Sequence, residues 1–204
     1  MGRKSLKDTR QQEIILTFYN LAKKEGLENT SIAKIAREMD VNPSLIIHYF
    51  QTKEELIFGL IDFILKKYLH IFQVPNKASK TPKKILLEVI DNLFSKKWNL
   101  LFDDSLFYSC YALTFRDDRI KSKYKDLLHE LRNQLAELVR DCVDDHSLVT
   151  TDANETADLI FVILDGAYFY LSLVKDAKIS KEKLAFYKQK ALSVLIFENK
   201  IISV

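Results

Sequence analysis

From Ile14 onward, apolar positions recur at intervals of three and four, the spacing that lines one face of an α-helix. Ile14, Ile15, Phe18, Leu21 and Ala22 make the first stripe, opened by a capping box at Ser5 and Asp8 and closed by Gly26. A short helix follows Thr30 and Ser31, either of which can cap it, and turns Ile32, Ile35 and Ala36 inward. Asn42-Pro43 opens a third as a cap followed by proline, with Ile46, Tyr49 and Phe50 on its inner face. Thr52 and Glu55 form a further capping box, and their helix is predicted to reach about His70. The stretch QVPNKASKTP, 73–82, breaks the pattern and marks the clearest boundary. Beyond it the spacing predicts helices over about 82–101, 104–115, 119–143, 153–175 and 180–199, the last two capped by Asp152 and Ser180, with DDHSLVTTD as a turn between the third and fourth. The expectation is an all-α chain of nine helices and no strand, in two domains, 1–70 and 71–204.

The stretch SIAKIAREMDVNPSLIIHYFQTKEEL, 31–56, holds two short helices joined by a tight turn. That is a helix-turn-helix over about 31–50, the first helix packing across the second through Ala36. The turn, EMDV, needs a residue tolerant of positive φ, and Asp40 can supply it. With the inner face of the second helix taken by Ile46, Tyr49 and Phe50, the residues Pro43, Ser44, Ile47 and His48 are left facing out. Ser44 and His48 can hydrogen-bond base edges and Ile47 can meet a thymine methyl, so this helix suits a major groove.

Charge sharpens the picture only by its location. The net charge is +3 overall, but up to position 37 Arg3, Lys4, Lys7, Arg10, Lys23, Lys24, Lys34 and Arg37 oppose only Asp8, Glu13, Glu25 and Glu28. The excess positive charge therefore sits where it can meet phosphate, or it is a solvated basic surface. Lys34 and Arg37 carry the same two readings. Two cysteines, Cys110 and Cys142, fit no metal spacing and no disulfide framework, and the histidines are scattered singly. No apolar signal segment opens the chain, and LIFVILDGAYFYLSLV, 159–174, is interrupted by Asp165 and short for a membrane span. A soluble, cytoplasmic chain with no metal and no cofactor is expected. No phosphate loop, paired metal motif or elbow serine points to an enzyme.

Residues 8 to about 68 resemble the DNA-binding domain of the TetR family of bacterial transcription regulators. The stretch GLENTSIAKIAREMDVNPSLIIHYFQTKEELIFGLI carries the resemblance. It is similar to the family's pattern of Gly-aliphatic, Thr-Ser, Ile-Ala, turn-Val, helix and Phe-x-x-Lys-Glu-x-Leu at fixed spacing. ALTFRDDRIKSKYKDLLHEL and ILDGAYFYL resemble the junction of the family's sixth and seventh helices and part of its eighth. The resemblance implies an N-terminal three-helix DNA-binding domain, a connecting fourth helix, and a C-terminal helical domain for ligand binding and dimerisation. Carried over residue by residue, Thr30 matches a phosphate-contacting threonine, and Asn42, Pro43, Ser44 and Leu45 match the start of the recognition helix. Lys53 matches a lysine beside the DNA backbone at the start of the fourth helix. Ser31, Lys34, Arg37, Ile47, His48 and Tyr49 complete the expected DNA face. Asp40 stands where glycine is common. Ile47 replaces a usual phosphate-binding tyrosine, which leaves that contact to His48 or Tyr49.

The implied function is a homodimeric repressor that holds an inverted-repeat operator in double-stranded DNA and is released by a small, mostly apolar effector. The alternative is a helical small-molecule-binding protein or enzyme without DNA-dependent regulation. An aromatic run, Trp98, Phe102, Phe107, Tyr108, Tyr111 and Phe115, joined by Phe169, reads either as ordinary core or as the lining of the effector pocket. For the dimer, the last two helices offer Phe161, Leu164, Tyr168, Leu171, Leu192 and Leu195, with Gly166 suited to close approach.

Overall fold

A computed structural model describes residues 6–95, 98, 103–149 and 152–198. The predicted cap at Ser5, the ring of Phe102 and the chain beyond 198 lie outside them. Nine helices are bounded among the described residues: α1 Leu6–Glu25, α2 Ile32–Glu38, α3 Pro43–Tyr49, α4 Lys53–Tyr68, α5 Pro82–Leu93, α6 Asp104–Leu113, α7 Asp118–Asp144, α8 Ala153–Leu171 and α9 Ala177–Leu192. The fold is all-α, as the periodicity predicts. Most helix starts are set locally. Ser31, Asn42, Thr81, Asp103, Asp152 and Asp176 each accept a bond from a backbone N–H of the first turn they cap.

Several boundaries differ from expectation. α4 stops at Tyr68 and a 3-10 turn takes over at Leu69–Phe72. α5 ends at Leu93 rather than near 101, because Phe94 leaves helical geometry. α8 closes at Leu171 rather than 175. Asp176, not Ser180, caps α9, its Oδ1 accepting from the N–H groups of Lys178 and Ile179 at 2.8 and 3.0 Å. The aspartate four residues earlier competes better for free N–H groups than the serine, which lies inside the helix. The expectation of no strand is also corrected. Leu148–Val149 (β1) pairs antiparallel with Ile196–Phe197 (β2), beyond the end of α9. Two-residue strands carry no period to read.

By their contacts the described residues fall into two compact units, one drawn from Met1–Lys67 with Phe102–Leu127, the other from Tyr68–Leu101 with Leu128–Val204. In the first, α1 crosses α2 and α3, and α6 packs on α1. Ile14, Phe18, Ile35, Ala36, Ile46, Leu56 and Leu60 form its core, all essentially sealed from solvent. Two ion pairs tie sequence-distant pieces of it, Lys23 to Asp103 at 3.3 Å and Lys123 to Asp62 at 2.6 Å. Gly59 allows α4 to lie close to its neighbours: a Cβ there would come within 2.7 Å of Ile15 Cδ1 and 3.3 Å of Phe50 Cε1. Gly59→Val is therefore expected to cost about 1–3 kcal/mol by overpacking, read as a lowered denaturant midpoint. An unchanged midpoint would show that Ile15 can move aside without penalty.

In the second unit, α5 buries Ile85, Leu86, Val89, Ile90 and Leu93, and α8 buries Ile160, Phe161 and Leu164. α9 packs along α8 and also meets α5. The Tyr168 hydroxyl donates to the Leu93 carbonyl at 2.9 Å, and Lys188 pairs with Asp91 at 2.7 Å. No described helix is long and apolar enough to cross a membrane.

Candidate nucleic-acid interface

The helix-turn-helix is built around one backbone turn. Asp40 has φ 53°, the left-handed conformation expected of it. Beside it the Val41 N–H donates to the Ala36 carbonyl at 2.9 Å and the Met39 N–H to Ile35 at 3.0 Å, closing the end of α2. Asn42 then caps α3, its Oδ1 accepting from the Ser44 N–H at 2.9 Å, with Pro43 at the first helical position. Within α3 only Ile46 is fully buried. Leu45 and Tyr49 are half-buried, so Tyr49 is less inward than its spacing suggests, while Phe50 is buried just past the helix end. Pro43, Ser44, Ile47 and His48 are exposed, as predicted, and Ile47 keeps 48% of its surface. A seven-residue helix thus turns two hydrogen-bonding side chains and one branched apolar side chain outward together. The His48 and Tyr49 rings meet edge-on, 5.1 Å apart.

The other expected contacts hold different positions. Thr30 is buried and its hydroxyl donates to the Gly26 carbonyl at 2.9 Å, so its side chain fastens the end of α1. Ser31 Oγ accepts from the Lys34 N–H at 3.3 Å. Lys34 Nζ is 2.6 Å from Glu25 Oε2, and that hydrogen-bonded pairing holds the Glu25 carboxyl below its ordinary value. Arg37 lies exposed in the last turn of α2. Lys53 is exposed at the start of α4, where the Thr52 hydroxyl accepts from the Glu55 N–H at 3.2 Å and the Glu55 carboxylate accepts from the Gln51 N–H at 2.7 Å. Lys53 is the first residue of α4, so its charge adds to the positive end of that helix.

Lys53 has a second environment that the sequence did not announce. It borders a cavity of about 330 Å³ in the first unit, together with Arg116 just past the end of α6. Nothing in the spacing joins α4 to α6. The resemblance of 112–131 covers Arg116 but gives it no role.

The aromatic run is divided. Phe107, Tyr111 and Tyr124 form one cluster in the first unit, with ring centroids 5.2 and 5.7 Å apart. Tyr108 meets Phe107 at 5.4 Å and Phe115 meets Tyr111 at 5.3 Å, and Phe115 is 76% exposed. Trp98 and Phe169 belong to the second unit. Trp98 is buried, stacked on Tyr168 at 5.6 Å and tilted against Tyr68 at 6.1 Å, while Phe169 is largely exposed.

α8 carries a second surface. Leu159, Val162, Gly166, Phe169 and Tyr170 share one stripe of about 100°, Leu173 follows just past the helix end, and these five large side chains are all exposed. An added Cβ at Gly166 meets nothing within 4 Å. The residues expected at a dimer seam lie instead inside the unit: Phe161, Leu164, Tyr168, Leu171 and Leu195 are buried and Leu192 half-buried. Asp158 and Asp165 flank the exposed stripe, and Arg132 of α7 bridges them at 2.8 and 3.0 Å. Burial raises the Asp165 carboxyl from its ordinary value against the pull of Arg132.

Nucleophilic and metal chemistry find little here. Among the described residues no three His, Cys, Asp or Glu side chains converge as a metal site. Burial pushes the Cys110 thiol up to about 12 and Cys142 to about 11, so neither is a thiolate near neutral pH.

Residues 17–60 match the family model for bacterial regulatory proteins of the tetR family. Residues 81–197 match that for the tetracyclin repressor-like C-terminal domain. The chain is 24% identical over 202 residues to the nucleoid occlusion factor SlmA of Actinobacillus pleuropneumoniae, spanning 97% of this chain and 96% of that protein. It is 23% identical over 177 residues to the HTH-type transcriptional regulator BetI of Brucella abortus, spanning 87% of each. A TetR-family transcriptional regulator from Cytophaga hutchinsonii has the same backbone fold, with a TM-score of 0.79 at 16% identity, over 97% of this chain and 100% of that one.

Proposed function

We propose that this chain, which belongs to the TetR family of bacterial DNA-binding transcriptional regulators and is not an enzyme, works as a homodimeric repressor that a small, mostly apolar ligand releases from an inverted-repeat operator. The observation that carries the reading is the outward face of α3, where Ser44, Ile47 and His48 project from a helix whose cap and core side fix its orientation. Ser44 and His48 read base edges, Ile47 packs on a thymine methyl, and Arg37 and Lys53 hold the phosphates. Two such helices reach one face of the duplex when they stand about 34–36 Å apart, one helical turn. The exposed apolar stripe of α8 supports pairing of two copies. A ligand that favours a form with another spacing by about 1–3 kcal/mol lowers operator affinity roughly 5–150-fold.

The test is selection of a binding site from random DNA, followed by equilibrium titrations at several salt concentrations. Ser44→Ala and His48→Ala are expected to relax base preference by about 1–3 kcal/mol at the positions they read. Lys53→Ala is expected to weaken all sequences alike and lower the salt slope by about one. If the double variant Ser44→Ala, Lys53→Ala binds with wild-type affinity, preference and salt slope, the DNA face lies elsewhere.

A further inference from the structure

The cavity beside Lys53 has a composition of its own. Leu27, Ile57, Ala112 and Leu113 make its apolar wall. Lys53, Arg116, Glu28 and Ser109 supply the polar groups. Neither Lys53 nor Arg116 has an ion-pair partner among the described residues. The Glu28 carboxylate folds back over Gly26, so close that a Cβ there would lie 2.6 Å from its Oε1. Two cations against one carboxylate leave the polar groups of this apolar cleft with a net positive charge, and the start of α4 adds its own partial positive charge. At about 330 Å³ the space matches the lower end of the roughly 300–1,000 Å³ of small-molecule sites.

We propose that this cleft in the DNA-binding unit is a binding site for a small amphipathic monoanion, a carboxylate on a short hydrocarbon chain, whose head engages Arg116 and Lys53 and so withdraws Lys53 from the operator phosphates. The tail lies along Leu27, Ile57 and Leu113, and the Ser109 hydroxyl is available to donate to the head. A neutral analogue forgoes both charge-assisted bonds. A cationic one meets two like charges. The cleft takes Ser109, Ala112 and Leu113 from α6, the helix that also carries Phe107, Tyr108 and Tyr111, and its consequence for regulation rests on the DNA-binding role proposed above. It acts on the phosphate contact directly, so the change it causes is in the salt dependence of binding, with base preference untouched.

Octanoate is the probe, with octanol and octylamine as its neutral and cationic counterparts. Calorimetry on the full chain without DNA is expected to give one octanoate per chain, octanol bound at least about ten-fold more weakly, and no octylamine. Arg116→Gln is expected to weaken octanoate about ten-fold, and Ala112→Trp, which fills the cleft without removing a charge, to abolish it. Saturating octanoate should lower the salt slope of operator binding by about one in the unaltered chain and leave it unchanged in Ala112→Trp. Equal binding of octanoate and octanol, octanoate bound at many sites, or full binding by Arg116→Gln and Ala112→Trp would each overturn the proposal. So would one-to-one binding with no change in the salt slope. Failure of the unliganded chain to bind any selected DNA would instead count against the function proposed above, and the calorimetry would still decide the site.

Discussion

Gly166→Leu is expected to leave each protomer folded and to prevent two of them from pairing. An added side chain at this position enters open space within the protomer, so a leucine there strains nothing local. Leucine is also the better helix former, by up to about 1 kcal/mol. What it obstructs is the approach of a second copy to the stripe of Leu159, Val162, Phe169 and Tyr170 and to Leu173 just past it, which is 73% exposed. Exposed apolar patches of this kind commonly mark a surface that a partner covers. Two linked half-site readers gain about 10²–10⁴-fold in avidity over one, and loss of pairing should reduce operator affinity by that factor. Sedimentation velocity is expected to report a monomer with unchanged helical content. A full dimer that still binds the operator would move the seam off this stripe.

Phe18→Ala is expected to be the most destabilising single change in the first unit. Phe18 is 1% exposed, on the face of α1 that crosses α2 and α3. Removing a buried phenyl ring costs about 3–5 kcal/mol. That is a large part of the roughly 5–15 kcal/mol that holds a domain folded. α2 and α3 are seven residues each, too short to persist without packing. Operator affinity should therefore fall together with stability, although Phe18 is buried in the core. Guanidinium titration measures the first effect, and Phe18→Leu, which keeps most of the volume, should restore the larger part of both. A loss below about 1 kcal/mol would mean that the core closes over the gap.

The sequence made the helix starts legible and some of their ends obscure, for one reason. A cap is a side chain acting on the backbone a few residues away, so Asn42, Thr52 and Asp152 could be read directly. The end of α5 at Leu93 carries no glycine or proline to announce it. The outward face of α3 was legible because its inner face is marked by Ile46 and by Phe50 just beyond it. On α8 the same reasoning had no purchase. Both the stripe holding Phe161, Leu164 and Tyr168 and the stripe holding Leu159, Val162 and Phe169 are apolar, and periodicity cannot say which one a neighbouring helix covers. Thr30 illustrates a different gap. A matched position tells that a threonine belongs there, whereas its hydroxyl is engaged by the Gly26 carbonyl. The cleft between Lys53 and Arg116 depends on helices that local spacing cannot bring together.

The first unit takes its residues from two separated stretches, up to Lys67 and again as far as Leu127. During synthesis, α1 to α4 emerge several seconds before α6 at roughly 5–20 residues per second. Until then Lys23 and Asp62 wait for Asp103 and Lys123, and the face of α1 that receives α6 stays wet. The reader head is therefore finished late on the ribosome, although its own sequence comes first. The same arrangement limits how parts can be exchanged between relatives. A graft cut at 67 would carry α3 across but leave behind α6, which packs on α1, whereas a graft that also carries 103–127 would transplant the unit whole.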